Sequence, residues 1–474
     1  MTTPSPAVIM DFRNTPTPAR LSRSLPETPP APPVRLVHLG LGSFFRAHQA
    51  WYTAHASDAS GWGYAAFTGR RPDIADALSP QDGLYTLLVR HPDGDAADIV
   101  GSVAEVHPAS NHAAYLELLR RPEVAVVTIT LTESAYLVRD GHLDVADPAL
   151  VADLEALRAD LGAPVSTLPA RLLSGLAARR AAGGGPITVL PCDNLPHNGT
   201  VARTGVLELA ALVEDGAAGG LAAWVGDHVD FASSMVDRIT PATTDDDVRA
   251  ATAATGLADA APVPTEPFTE WVLSGAFPAG RPAWESAGAL VVDDVTPYEQ
   301  RKLWLLNGSH SLLAYSGPLR GHSTVDEAIA DPTCRAWVEE YWDEACRHLP
   351  MPAAELRSYR EALLGRYSNP RVRHLLAQIA SDGSVKLPVR IVPTLLAERA
   401  AGRMPVGAAR AVAAWIWHLR GRGAPVKDSG AEAAAAAARA GEGSVAAVLA
   451  LLRPALSADQ ALVELVTEQL DALA

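Results

Sequence analysis

The sequence predicts an α/β protein: a doubly wound parallel sheet in the N-terminal half, followed by a mostly α-helical C-terminal domain. Three observations carry that expectation. Short apolar, β-branched runs alternate with helical patterns over the first half of the chain. The first run enters a glycine turn, Gly40-Leu41-Gly42, that opens a helix. From Tyr298 onward the apolar periodicity is helical almost to the C-terminus.

Taken in order, strands are expected at 34–39, 64–68, 84–90, 99–106, 124–130 and 187–190, with a helix at 46–56 and helical patterns across 148–181. The run 124–130 is apolar and β-branched throughout, as a strand covered on both faces requires. Helices are then expected at 298–316, 324–331, 334–348, 355–366, 372–380, 388–399 and 408–419. The implied domains are a proline-rich, loosely packed tail at 1–33, a dinucleotide-binding domain at 34–290 and a helical substrate domain at 291–474.

Bulk composition narrows the function. The 474 residues suffice for two full hydrophobic cores. A net charge of -15 argues against nucleic acid, because phosphate binding needs a basic face. Cys192, Cys334 and Cys346 form no CxxC pair, so neither a disulfide framework nor a thiolate zinc site is expected, and a cytoplasmic compartment fits. No signal peptide is expected. The longest apolar stretch, 445–456, is interrupted by Arg453 and Pro454, so no membrane span is expected either.

The glycine turn follows a strand and precedes a helix, the context in which backbone amides and a helix N-terminus receive a pyrophosphate. Gly40, Gly42, Phe44 and Arg46 are the candidate contacts. Phe45 stands where the usual fingerprint has its third glycine, and a plain strand-to-helix turn would read the same way. Past the second strand, Asp73 suits the ribose hydroxyls of NAD, whereas Arg70 and Arg71 suit the 2′-phosphate of NADP; NAD is the preferred reading.

The chemistry is expected on one apolar helix. On an α-helical wheel Lys302 and His310 lie about 80° apart, and Asn307 completes an arc of about 140°. A buried lysine near an oxidised nicotinamide loses its proton readily and can serve as a general base. Asn194 and Asn307 can then donate to an alkoxide-like oxygen. The same spacing also describes a snorkelling lysine and a capping asparagine.

Six segments resemble the polyol-specific long-chain dehydrogenases, which include mannitol 2-dehydrogenase, fructuronate reductase (D-mannonate oxidoreductase) and D-arabinitol dehydrogenase. They are HLGLGSFFRAHQAWYT (38–53), LTESAY (131–136), PCDNLPHNG (191–199), SMVDRITP (234–241), DDVTPYEQRKLWLLNGSH (293–310) and NPRVRHLLAQIASDGSVKLPVR (369–390). The resemblance implies a zinc-independent, Rossmann-type NAD(P) oxidoreductase acting on an open-chain polyol or sugar acid, as a monomer or homodimer. It implies that Lys302 is the general base, Asn194 and Asn307 the oxyanion pair, His310 a ligand of substrate hydroxyls and Asp237 a modulator of the lysine. Glu133 and Glu299 would line the proton route, with Glu133 also near the cofactor. His374, Gln378, Lys386 and Arg390 would bind substrate. Gln378 replaces an arginine of some mannitol enzymes, and Lys386 with Arg390 could pair a carboxylate. Ala135 replaces a usual glycine. A nucleotide-binding or sensor protein without catalysis is the competing reading.

Overall fold

The computed structural model describes residues 18–214 and 219–474. Six strands form the central sheet, numbered here in chain order: β1 (Val34–Leu39), β2 (Gly63–Phe67), β3 (Val103–His107), β4 (Val126–Ile129), β5 (Ile187–Pro191) and β6 (Val229–Phe231). Their spatial order is β6-β5-β4-β1-β2-β3 and every pairing is parallel. This is the doubly wound dinucleotide-binding order, in which the chain reverses direction between β1 and β4 and leaves a crevice at the carboxyl ends of the strands.

Pleating explains why the strands are apolar throughout. Val37 and Leu39 of β1, Ala65 and Phe67 of β2, and Val127 and Ile129 of β4 face one buried cluster. Their alternate neighbours Leu36, Tyr64, Ala66 and Val126 face another. His38, on that second face, is fully buried. Its ring nitrogens bond Thr128 Oγ1 at 2.8 Å and Thr130 Oγ1 at 3.0 Å. Burial lowers its pKa to about 3, so it stays neutral.

One expected strand and one expected helix are corrected. The run 99–106 divides at Gly101-Ser102: Gly94–Val100 pairs antiparallel with Tyr85–His91 in a hairpin outside the main sheet, and β3 begins at Val103. A side chain at Gly101 would collide with Pro29, so the crossing point needs the glycine. The expected helix at 372–380 shrinks to Leu376–Ile379. Its first half is extended instead, because Leu375 bridges Thr324 and the Val325 amide donates to His374 O at 3.0 Å.

The tail expectation also changes. Residues 1–17 lie outside the described residues, but 18–33 are packed against the sheet domain. Leu21 is fully buried, and Arg23 donates to Gly101 O at 2.9 Å and Val103 O at 2.8 Å. The C-terminal half is helical around its own core, from Leu305 to Leu470. Among the described residues no single helix is long and apolar enough to cross a membrane.

Candidate active site

The glycine turn sits at the carboxyl end of β1, at the crevice. Gly40 has φ +110°, and a Cβ there would drive into the Thr130 carbonyl, so only glycine fits. Gly42 differs: its φ is -141° and a Cβ would meet nothing closer than Gly40 O at 3.5 Å. Nothing inside the fold requires a glycine at that position. The position lies at the N-terminus of the helix Ser43–Ala47, and a helix N-terminus favours an anion. Arg46 is corrected. It is buried and turns inward, donating to Ala261 O and, at 3.2 Å, to Gly42 O, so its charge braces the turn from beneath. Phe44 stacks on His48 with ring centroids 5.1 Å apart. Asp73 is exposed in the first turn of Asp73–Leu78 after β2, within 3.8 Å of Arg71.

A cleft lies where β5 ends, lined by Asp193, Asn194, Val236, Glu299, Lys302 and Asn307 among others. Lys302 Nζ donates to Val236 O at 2.5 Å and to Asn194 Oδ1 at 2.6 Å, both neutral acceptors. Local chemistry explains why those acceptors converge. Asn198 exchanges two hydrogen bonds with the Ser234 backbone, at 3.0 and 3.1 Å, tying the loop after β5 to the strand Ser233–Asp237. Gly199 permits that approach, since a Cβ there would meet Phe231 and Ala232 carbonyls at 2.7 and 2.6 Å. Asp193 accepts from the Tyr136 hydroxyl and, at 2.9 Å, from the Leu195 amide. Burial pushes Asp193 up to about 6.

Lys302 and Asn307 are brought together by a feature the helical wheel missed. The helix Thr296–Arg301 continues as a π-helical segment, Lys302–Asn307, before α-helix resumes at Gly308–Ser316. Hydrogen bonds to the fifth residue stack positions five apart, so Lys302 and Asn307 share a side that an α-helix would separate by about 140°. The carbonyls released by the wide turn find side-chain donors. Trp342 Nε1 donates to Leu305 O at 2.9 Å, and the Tyr367 hydroxyl to Leu306 O at 3.1 Å. Gly308 lies so close to Tyr341 that a Cβ would overlap its ring.

His310 and His374 meet edge to face, centroids 5.0 Å apart. His310 Nε2 and His374 Nδ1 are buried without a hydrogen-bond partner. Burial, chiefly, holds His310 well below its usual range and His374 down at about 4, so both rings are neutral and able to serve a bound hydroxyl. Arg390 donates to Ser311 Oγ at 3.3 Å; Lys386 reaches Ser381 Oγ at 3.1 Å and Ile379 O at 3.3 Å. All three acceptors are uncharged. Glu133 is exposed beyond β4, and its charge acts on both cations. Gln378 is exposed on the short helix Leu376–Ile379.

Arg366 carried no sequence signal. It ends the helix Ala353–Tyr367 and grips Asp237 with two bonds, at 2.7 and 2.9 Å, and Glu266 with two more, at 2.9 and 2.8 Å. All three groups are buried. Burial alone would raise Asp237, but the guanidinium outweighs it and keeps the carboxyl below its usual value. Burial also raises Glu299, whose Oε1 accepts the His197 amide at 3.2 Å. Lys302 itself is pushed down, first by burial and then by Arg366 and Arg390, with Asp237 opposing.

The sheet order and the glycine turn define a Rossmann-type dinucleotide-binding fold. Residues 34–286 match the family model described as mannitol dehydrogenase Rossmann domain, and 294–474 match that of the mannitol dehydrogenase C-terminal domain. The chain belongs to the mannitol dehydrogenase family. It is 37% identical over 401 residues to the D-mannonate oxidoreductase of Escherichia coli, spanning 82% of this chain and 80% of that one. Among solved structures, a Pseudomonas fluorescens mannitol 2-dehydrogenase in ternary complex with NAD and D-mannitol superimposes with a TM-score of 0.79 at 34% identity, covering 93% and 92% of the two chains. A D-sorbitol dehydrogenase in substrate-free form gives 0.85 at 30% identity, covering 96% and 98%.

Proposed function

We propose that the chain oxidises a secondary alcohol of an open-chain polyol or sugar acid to the ketone, and reverses that reaction, with NAD as cofactor and Lys302 as general base. The observation that carries the reading is Lys302 Nζ held in the cleft by two neutral acceptors, Val236 O and Asn194 Oδ1. Among the described residues no carboxylate bonds its ammonium, and burial favours the free amine, with Asp237 opposing.

The open space at Gly42 and the crevice beside β1 fit a dinucleotide, with Gly40, Gly42 and the helix Ser43–Ala47 holding its phosphates. Bound there, the oxidised nicotinamide supplies the hydride acceptor. The protein's own work is acid–base and electrostatic. Lys302 takes the hydroxyl proton. Asn194, whose Oδ1 is committed to Lys302, presents its amide NH2 to the cleft, where Asn307 joins it to stabilise the negative oxygen. Glu299, buried beside them, carries the proton onward, with Glu133 nearer solvent. His310 and His374 engage neighbouring hydroxyls.

Lysine and amides together supply the base and the charge stabilisation, so the proposed mechanism works without a metal ion. The cluster His322, Asp331 and Cys334 has a structural use: Asp331 accepts from Arg320 at 2.5 Å, His322 at 3.0 Å and the Thr333 amide at 2.8 Å. Arg390 and Lys386, whose hydrogen bonds go to uncharged acceptors, favour a sugar acid over a neutral polyol.

The test is a panel of polyols and sugar acids assayed with NAD and NADP, with and without chelator. Turnover with NAD that survives chelation supports the reading; loss on chelation contradicts it. Lys302→Ala should lower kcat by about 10²- to 10⁴-fold while cofactor binding persists. A near-normal rate would remove Lys302 from the mechanism.

A further inference from the structure

Around Lys302, carboxylates pair with arginines, while the hydrogen bonds of the lysine go to neutral oxygens. The titratable and charged side chains acting on it are Asp237, Glu270, Arg366, Arg390, Glu299 and His48. Two carboxylates of this set, Asp237 and Glu270, are already gripped by arginines, and the third, Glu299, accepts the His197 amide at 3.2 Å. Arg301 holds both oxygens of Glu270 at 2.6 Å. Arg366 holds both oxygens of Asp237 and both of Glu266. Arg238 donates to the Glu266 carbonyl and adds a third positive charge near that carboxylate. Arg301 and Arg366 thus hold Glu270, Asp237 and Glu266, and among the described residues Lys302 Nζ donates to a carbonyl and an amide oxygen.

Asp237 directly follows Val236, whose carbonyl binds Nζ, so a freed Asp237 carboxylate would be the natural counter-ion for the ammonium. An ammonium so paired is a poor base. We propose that Arg366 is a positioning residue that keeps Lys302 in its working form by occupying Asp237 and Glu266 together. This rests on the reading of Lys302 as base. The planar fork of arginine is what the role demands, because four oxygens are held from two sides and a lysine offers only a point charge.

The pH dependence of kcat/KM for alcohol oxidation by the full-length protein is the measurement. In the parent protein it rises as Lys302 loses its proton. Arg366→Met should move that rising limb upward by about one pH unit or more, read as a tenfold loss below the limb that recovers at high pH. Adding Asp237→Asn should return the limb toward its original position, and Arg366→Lys should give an intermediate shift. A uniform loss at every pH with an unmoved limb would overturn the proposal, as a purely structural arginine predicts that result. Should Arg366→Met fail to fold, Glu266→Gln is the alternative. It leaves Arg366 to Asp237 alone and should lower the limb, and no movement there also overturns the proposal. Lys302→Ala in the same assay separates the two ideas: a retained limb sinks the base assignment itself, whereas lost activity with an unmoved Arg366→Met limb sinks only the role of Arg366.

Discussion

Solvation decides what individual side chains in this molecule can do. Lys302 and His310 are buried among weak or absent partners and are therefore biased to their neutral forms, whereas Asp237 is equally buried yet held ionised by a guanidinium. Glu344 shows the same competition away from the cleft. Its oxygens accept the Gly407 and Ala408 amides at 2.8 and 2.9 Å, capping the helix Val406–Leu419, but burial dominates and pushes it up to about 7 from an ordinary 4.5. Between those values the folded chain holds a proton that the unfolded chain has released, so stability falls as pH rises through this window. Glu344→Gln should flatten that part of a denaturation-versus-pH curve; an unchanged slope would contradict the assignment. Shared placement was legible in the sequence where a motif surrounded the residues: Lys302, Asn194 and Asn307 line one cleft. Arg366 was not legible, because its two carboxylate partners lie 100 and 129 positions away. Arg46 misled for the opposite reason. Its place beside the glycine turn suggested phosphate, while the carbonyl that claims it, Ala261 O, is 215 positions distant.

Among elements, the π-helical segment is the one that brings Lys302 and Asn307 to a single cleft. A wheel drawn at α-helical pitch put Lys302 and Asn307 at opposite ends of a wide arc, and the sequence alone offers no mark of where the extra residue enters. Tertiary donors make the wide turn tenable. Trp342→Phe keeps the ring and deletes the donor to Leu305 O, leaving a buried carbonyl less well satisfied. It should cost about 1–3 kcal/mol in chemical denaturation and lower kcat more than it raises KM, since Lys302 belongs to the same segment. Unchanged stability would show that the turn is set by local sequence instead. Strand reading succeeded where both faces are covered, as in β1 and β4, and failed at 99–106, where a continuous apolar pattern conceals a change of sheet. Hydrophobicity reports burial without saying against which neighbour.

At the scale of the whole molecule, the helical and sheet cores are joined by polar clasps. Arg366 and Arg301 reach carboxylates of the sheet half, Asn369 Nδ2 donates to Arg90 O at 2.8 Å, and Arg371 reaches Asp95 at 2.5 Å. Exposure predicts their ranking. The Arg371–Asp95 pair is partly solvated and should contribute less than about 1 kcal/mol, with salt weakening it further. Asn369 is buried, so Asn369→Ala should loosen the chain leading to His374 and raise KM several-fold with a smaller change in kcat. Equal changes in both would place the effect on the chemistry instead. That connecting stretch, from Ser368 to Leu375, has no helix of its own and is pinned at one end to a hairpin outside the main sheet. Lys302 and Asn194 are mounted elsewhere, on the long central helix and the β5 loop. On the proposed reading, one substrate contact, His374, thus rests on a tether of its own, while His310 shares the helix of the base. If His374 meets substrate as proposed, changes between Ser368 and Leu375 alter which substrate is preferred without touching Lys302 or Asn194.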